Sequence, residues 1–396
     1  MKDIRRFLIR YNIHLFFREF VLLYPVYMLL FESKGLSELD VSLLLIIWSV
    51  SVFILEVPSG ILADRWSRKN MIVLGTAFKV GGFVIWMFAG SFFAFALGFV
   101  FWGIQEAFCS GSTEALLFDT LKENGREDDY EKYAGRAGFF AGGGLALSML
   151  LGGFAASGGF FAASVLSAGS VAISALTAVF LKDAEKAETD AVSWRQYTAG
   201  LKDGLFQGGK NRAVLLPLLF CVLIVIVPGI LEEYDQLYAS RIGLSIGLVG
   251  IWGGARTGME SLGCFVAGSL KKVFGGVIGI SVLAAVSGGL LFASVYLFSA
   301  YTLPLYALFY AVLSGCNVLA EGMLQREIES GHRAAVLSLK SLLMNLFGIV
   351  LYLCYGGISD ARGMRAGFLT AAVYTIGASI VFIVMGLGAR RKRQPF

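Results

Sequence analysis

The chain has 396 residues and a net charge of +5; 57% of its residues are hydrophobic and only 15% are charged. A soluble chain this long carries about a quarter charged residues, so this composition excludes a water-soluble globular body. Its basic residues border apolar runs, so the positive charge reads as a topology signal and not as a nucleic-acid surface. Runs such as Val41–Leu55, Val214–Val227 and Val277–Leu297 are too apolar to face water. A spanning helix needs about 20 mostly apolar residues. A membrane barrel would show alternating segments of about ten residues, and these runs do not alternate. The fold class is therefore an all-α membrane protein.

In chain order, Met1–Tyr11 is basic and amphipathic, with Arg5, Arg6 and Arg10 and no small-residue cleavage site after it. It reads as a retained segment rather than a cleaved signal. Spans follow at about 12–32, 40–61, 70–90, 92–120, 134–156, 160–181, 212–237, 243–269, 275–297, 301–327, 334–356 and 366–388. When these alternate from an inside start, 26 of the 33 Lys and Arg residues fall on the inner side. Lys34, Arg241, Arg362 and Arg365 fall outside, and Arg18, Lys79 and Arg256 fall within spans. This bias places both termini in the cytoplasm.

The longest polar segment, 182–211, separates an N-terminal six-helix bundle (1–181) from a C-terminal one (212–396). Within it, Ser193–Lys210 mixes Trp194, Tyr197, Leu201, Leu205 and Phe206 with basic residues, which predicts a helix lying on the inner membrane face. Six spans on each side of a long loop point to two halves related by an internal repeat. Cys109, Cys221, Cys264, Cys316 and Cys354 all lie in apolar runs, so no disulfide is expected. No Asn-x-Ser/Thr sequon occurs, in keeping with a bacterial cytoplasmic membrane.

The turn after span two reads Gly60-Ile61-Leu62-Ala63-Asp64-Arg65-Trp66-Ser67-Arg68-Lys69. A short loop between antiparallel helices needs a small residue for close approach, and an acid at the membrane edge can meet helix dipoles or basic partners. This turn resembles the signature loop of the major facilitator superfamily, G-x-L-A-D-R-x-G-R-K, with Ser67 in place of a Gly. A degenerate second copy, Gly268-Ser269-Leu270 followed by Lys271 and Lys272, lacks the acid. The resemblance covers the whole chain. It implies the major facilitator fold of 12 transmembrane helices and a cytoplasmic gate formed by Gly60, Asp64, Arg65 and Arg68, in which Asp64 and Arg68 latch the inner side shut.

Span five adds a partial resemblance to the drug exporters of that family. Gly135, Gly144, Gly152 and Gly153 match the exporters' glycine spacing, while Ser148-Met149 replaces their Gly-Pro pair. Close helix packing alone would also explain these glycines. The exporters' Arg within span four is absent from Phe92–Asp119.

Ionisable residues inside a bilayer are costly and usually face a cavity or each other. Here they are Arg18 and Glu19 in span one, Glu56 in span two, Glu106 and Glu114 in span four, Glu232 and Glu233 in span seven, Arg256 and Glu260 in span eight, and Glu321 in span ten. Glu106 and Glu114 are eight apart, which would place them on one helix face with Ser110 and Thr113. An Arg18–Glu114 or an Arg18–Glu56 pair would then be in reach. Arg256 and Glu260, four apart, can pair on their own helix. Asp119, Asp235 and Lys79 read as structural charges. Tyr24, Tyr27, Trp48, Trp102, Tyr234 and Trp252 are available to line a cavity.

No P-loop, metal-spaced Cys/His cluster or nucleophilic triad is present, and the two histidines, His14 and His332, stand apart. The expectation is therefore a monomeric secondary transporter, not an enzyme, with no cofactor or metal. It would move a small-molecule solute across the bilayer by alternating access, driven by a proton gradient. Efflux by proton antiport leads, with Glu114 and then Glu106 as the coupling carboxylate. A solute importer is the alternative, and a non-transporting receptor or scaffold is a more distant one.

Overall fold

The computed structural model describes residues 2–183, 202, 204–206, 209, 211–328 and 332–391; side chains at 57, 64, 65, 334 and a few positions at the two ends are outside that description. Most of the predicted central-loop helix, Ser193–Lys210, also lies outside the described residues. The described residues form helices joined by turns and short loops, with no strand among them. Among the described residues, ten stretches are long and apolar enough to cross a membrane. They match predicted spans two to seven and nine to twelve, and the first and eighth spans are helical too.

The first six spans run as α1 (Lys2–Glu19) with α2 (Tyr27–Ser33), α3 (Glu38–Arg65), α4 (Arg68–Phe88), α5 (Phe92–Cys109) with α6 (Ser112–Glu123), α7 (Tyr130–Ala156) and α8 (Phe160–Val179). Two of them correct the expectation of unbroken helices. Span one breaks between Glu19 and Tyr27, where Pro25 has no N–H to give and its ring disfavours a helical residue before it. Span four breaks at Ser110-Gly111, with Gly111 at φ +70°. That left-handed backbone is open to glycine at little cost.

A broken helix survives inside a membrane only if its freed backbone groups find partners. Span six supplies them for span one through serines on one face. Ser167 Oγ accepts from Leu23 N at 3.0 Å, Ser170 donates to Phe17 O at 2.9 Å, and Ser174 donates to His14 O at 2.8 Å. The span-five glycines serve the same region. A Cβ on Gly144 would stand 2.2 Å from Phe16 O, and one on Gly152 would stand 2.2 Å from Leu22 O. Gly135 has open space around it.

The second six spans run as α9 (Arg212–Phe220), a π-turn (Cys221–Val225) and α10 (Ile226–Arg241), then α11 (Ile246–Phe274), α12 (Val277–Leu297), α13 (Leu303–Glu327), α14 (Arg333–Arg362) and α15 (Met364–Arg391). The π-turn lies between Pro217 and Pro228, residues that disturb the regular ladder. The chain divides into two compact units. The first is Met1–Leu36, Leu43–Tyr197 and Ser245–Ile251, and the second is Ser37–Ser42, Thr198–Leu244 and Trp252–Phe396. In the first, α4 packs on α5 and α8, and α1 packs on α7 and α8; in the second, α12 packs on α13 and α15. Large apolar side chains such as Phe139, Leu176, Phe265 and Val384 remain exposed. That is what lipid as the outer solvent requires.

Candidate functional site

Beside a separate Lys340–Glu321 pair between α14 and α13, each unit holds, among the described residues, a cluster of ionisable groups on its spanning helices. In the first unit it gathers at the break in span one. Arg18 Nε donates to Glu19 Oε1 at 2.9 Å, and Tyr24 hydroxyl approaches Glu19 Oε2 at 3.5 Å. From α4, the buried Lys79 donates to Tyr24 hydroxyl at 2.7 Å. Its ammonium also lies 5.3 Å from the Tyr24 ring centre and 5.4 Å from that of Trp102, and those two rings stack. A desolvated ammonium gains most from such rings. Had span one continued as a regular helix, Tyr24 would stand five residues beyond Glu19 on another face. The break turns it back onto the charges.

Arg18 therefore pairs with its neighbour Glu19, and the expected Arg18–Glu114 and Arg18–Glu56 pairs do not form. The break in span four separates Glu106, in the last turn of α5, from Glu114, in the first turn of α6. The shared helix face inferred from their spacing is thus lost. Both carboxylates are exposed, as is Glu56. Glu106 remains within electrostatic range of Arg18 and Lys79.

In the second unit the cluster centres on Arg256, 3% exposed. Its guanidinium meets three carboxylates: Glu260 at 2.7 Å one turn along α11, and Glu232 and Asp235 of α10, each at 2.9 Å. The Arg256–Glu260 pair was legible in the spacing. Tyr306 and Tyr310, one turn apart on α13, both donate to Asp235 Oδ1, at 2.5 and 3.0 Å. The Tyr310 ring lies 4.8 Å from the guanidinium carbon, and Trp252 stacks on Tyr306. Asp235 is nearly fully buried, whereas Glu232 is 45% and Glu260 24% exposed at the side chain. Glu233, next along α10, is half-buried.

The sequence reading missed Asp235 and Lys79 as members of these clusters, along with Tyr306 and Tyr310. A signal was present for Asp235, because Glu232 and Asp235 are three apart and so share one helix face. Nothing in one sequence ties α13's tyrosines to that face.

At the signature turn, Ser67 caps α4 by accepting from Asn70 N at 3.0 Å, which gives a use for the hydroxyl where the signature has Gly. Arg68 forms an ion pair with Asp119 at the end of α6 and donates to Ala115 O at 3.1 Å. Gly60 is exposed, and the side chains of Asp64 and Arg65 lie outside the described residues. Among the described residues no group of His, Cys, Asp and Glu has the arrangement of a metal site.

Comparison with known proteins gives this arrangement a family. The profile described as Major Facilitator Superfamily matches residues 13–328. The uncharacterized MFS-type transporter YxaM of Bacillus subtilis (strain 168) is 21% identical over 372 residues, covering 91% of each chain. A crystal structure of a mutant nucleoside transporter NupG superposes with a TM-score of 0.79 at 15% identity, over 96% of this chain and 99% of that one. A bacterial homolog of the human lysosomal transporter Spinster, inward-facing and unoccupied, gives 0.74 at 15% identity, over 97% and 95%. A D-xylose-proton symporter gives 0.68 at 11% identity, over 96% and 97%. With its signature turn, twelve helical spans and family profile, the chain belongs to the Major Facilitator Superfamily and is a multi-pass membrane transporter with that family's fold.

Proposed function

We propose that this transporter moves a small organic solute by alternating access and couples that movement to protons at the Arg256 cluster. One observation carries the reading: three carboxylates share a single guanidinium at membrane depth. Excess negative charge in a low-dielectric site is costly. Taking up a proton relieves it, and Glu232 and Glu260 are the members with open sides. Asp235, held by two tyrosine hydroxyls and buried, positions Arg256. The first unit's cluster has two cations against one paired carboxylate, so it has no comparable excess to relieve.

We place the chain in a bacterial cytoplasmic membrane with both termini inside, on the basic-residue bias, and read the direction as efflux by proton antiport. Proton-coupled import is the second reading. It gains from the finding that Gly144 and Gly152 have packing duties against span one, which explains them without any exporter-specific role. Everted vesicles carrying the chain and an acid interior separate the two. Organic cations, nucleosides, sugars and amino acids would be added in turn. Collapse of the pH gradient by one class supports antiport. Solute-induced alkalinisation of the medium only in right-side-out vesicles makes it an importer. No proton movement in either orientation removes the proton-coupled reading.

A further inference from the structure

The second unit also holds a cavity of about 260 Å³ that belongs to neither ionic cluster. It is walled by Val227 and Leu231 of α10, Phe347, Leu351 and Ile358 of α14, and Ala371 of α15. Phe347, Leu351, Cys354 and Ile358 follow one another at helical spacing, so one face of α14 forms its floor. Two polar side chains on its wall have their hydrogen bonds directed elsewhere, and a third, Tyr355, holds a buried hydroxyl without a hydrogen-bond partner among the described residues. Thr370 donates to Ala366 O at 2.8 Å, and Tyr374 donates to Leu223 O, in the π-turn, at 2.7 Å. Water needs two to four polar partners to stay in a cavity, and an apolar cavity of about 150 Å³ already takes up benzene. A polar solute would find one phenol hydroxyl among aliphatic and aromatic walls, whereas a hydrocarbon segment would fit the rest.

Length and charge narrow the occupant further. Phe347 and Ile358 are eleven residues apart, about 16 Å along a helix. That is about half the hydrocarbon thickness of a bilayer, the depth of one leaflet. Arg362, exposed, stands one turn beyond Ile358 at the end of α14. We infer that this cavity is a lipid site: one acyl chain of a phospholipid lies between α10, α14 and α15, with its phosphate at Arg362.

Photolabelling tests the assignment. The probe is a phosphatidylglycerol bearing a diazirine midway along one acyl chain, in vesicles of phosphatidylethanolamine and phosphatidylglycerol. Peptides containing Leu351 and Cys354 should be labelled severalfold more than those containing the lipid-exposed Val384. Ala371→Phe and Cys354→Phe, each filling the cavity, should bring labelling down to the Val384 level while the protein keeps its elution volume and melting temperature. Arg362→Gln should lower cavity labelling by the phosphatidylglycerol probe but not by a diazirine-bearing fatty alcohol. Equal labelling of cavity and lipid-exposed peptides would overturn the site. An unchanged phospholipid signal in Arg362→Gln would overturn the phosphate contact. A Cys354-linked dimer in place of cavity labelling would make this face a contact between copies and overturn the lipid assignment.

Discussion

The two ionic clusters differ in sign and in construction. The first gathers two cations, Arg18 and Lys79, around one carboxylate, Glu19, at a break in span one. The second gathers three carboxylates around one cation, on helices that are regular at that point. Buried ion pairs gain little net stability, but removing one partner is expensive. The first cluster is therefore fitted to anchor a broken helix, since each of its charges has an opposite charge, a phenol or an aromatic face. The second is left with acids that outnumber their partner, and such a set is fitted to exchange a proton or receive a cation.

Breaking the second cluster at its centre should have the largest effect. Arg256→Met leaves three acids facing one another and should cost about 3–5 kcal/mol, read as a marked fall in detergent melting temperature. The paired substitution Arg256→Met with Asp235→Asn should recover part of that loss. Tyr306→Phe removes a hydrogen bond to a buried carboxylate and should cost about 1.5–3 kcal/mol, again by thermal unfolding. The span-five glycines sharpen the contrast on the other side. Gly144→Ala forces a Cβ toward Phe16 O and should cost about 1–3 kcal/mol as overpacking. Gly135→Ala, with open space around it, should stay within about 0.5 kcal/mol of the parent protein. Equal effects at the two glycines would mean that the motif does not act through packing on span one.

The spans and the signature turn were legible because apolar run length and loop charge are one-dimensional properties. The Arg256–Glu260 pair was legible for a similar reason, since four residues make one helical turn. The rest required three dimensions. Lys79 meets Tyr24 across 55 positions, at the break in span one. Spacing alone put Glu106 and Glu114 on one face, but Gly111 in a left-handed conformation ends that helix between them. From the sequence Asp235 reads as a structural ion pair or a headgroup-level charge, with no sign of its partners. Its burial comes from α13, which brings Tyr306 and Tyr310 from more than seventy residues away.

The most direct test compares gradient-driven transport with counterflow in proteoliposomes, using the solute class found in vesicles. The variants are Glu232→Gln and Glu260→Gln in the second unit, and Glu106→Gln and Glu114→Gln in the first. If the acid-rich cluster couples the proton, at least one second-unit variant will exchange solute by counterflow yet fail to concentrate it under a pH gradient, while both first-unit variants still concentrate it. Gradient-driven accumulation that survives in Glu232→Gln and Glu260→Gln but is lost in Glu106→Gln or Glu114→Gln would contradict the account and move coupling to span four.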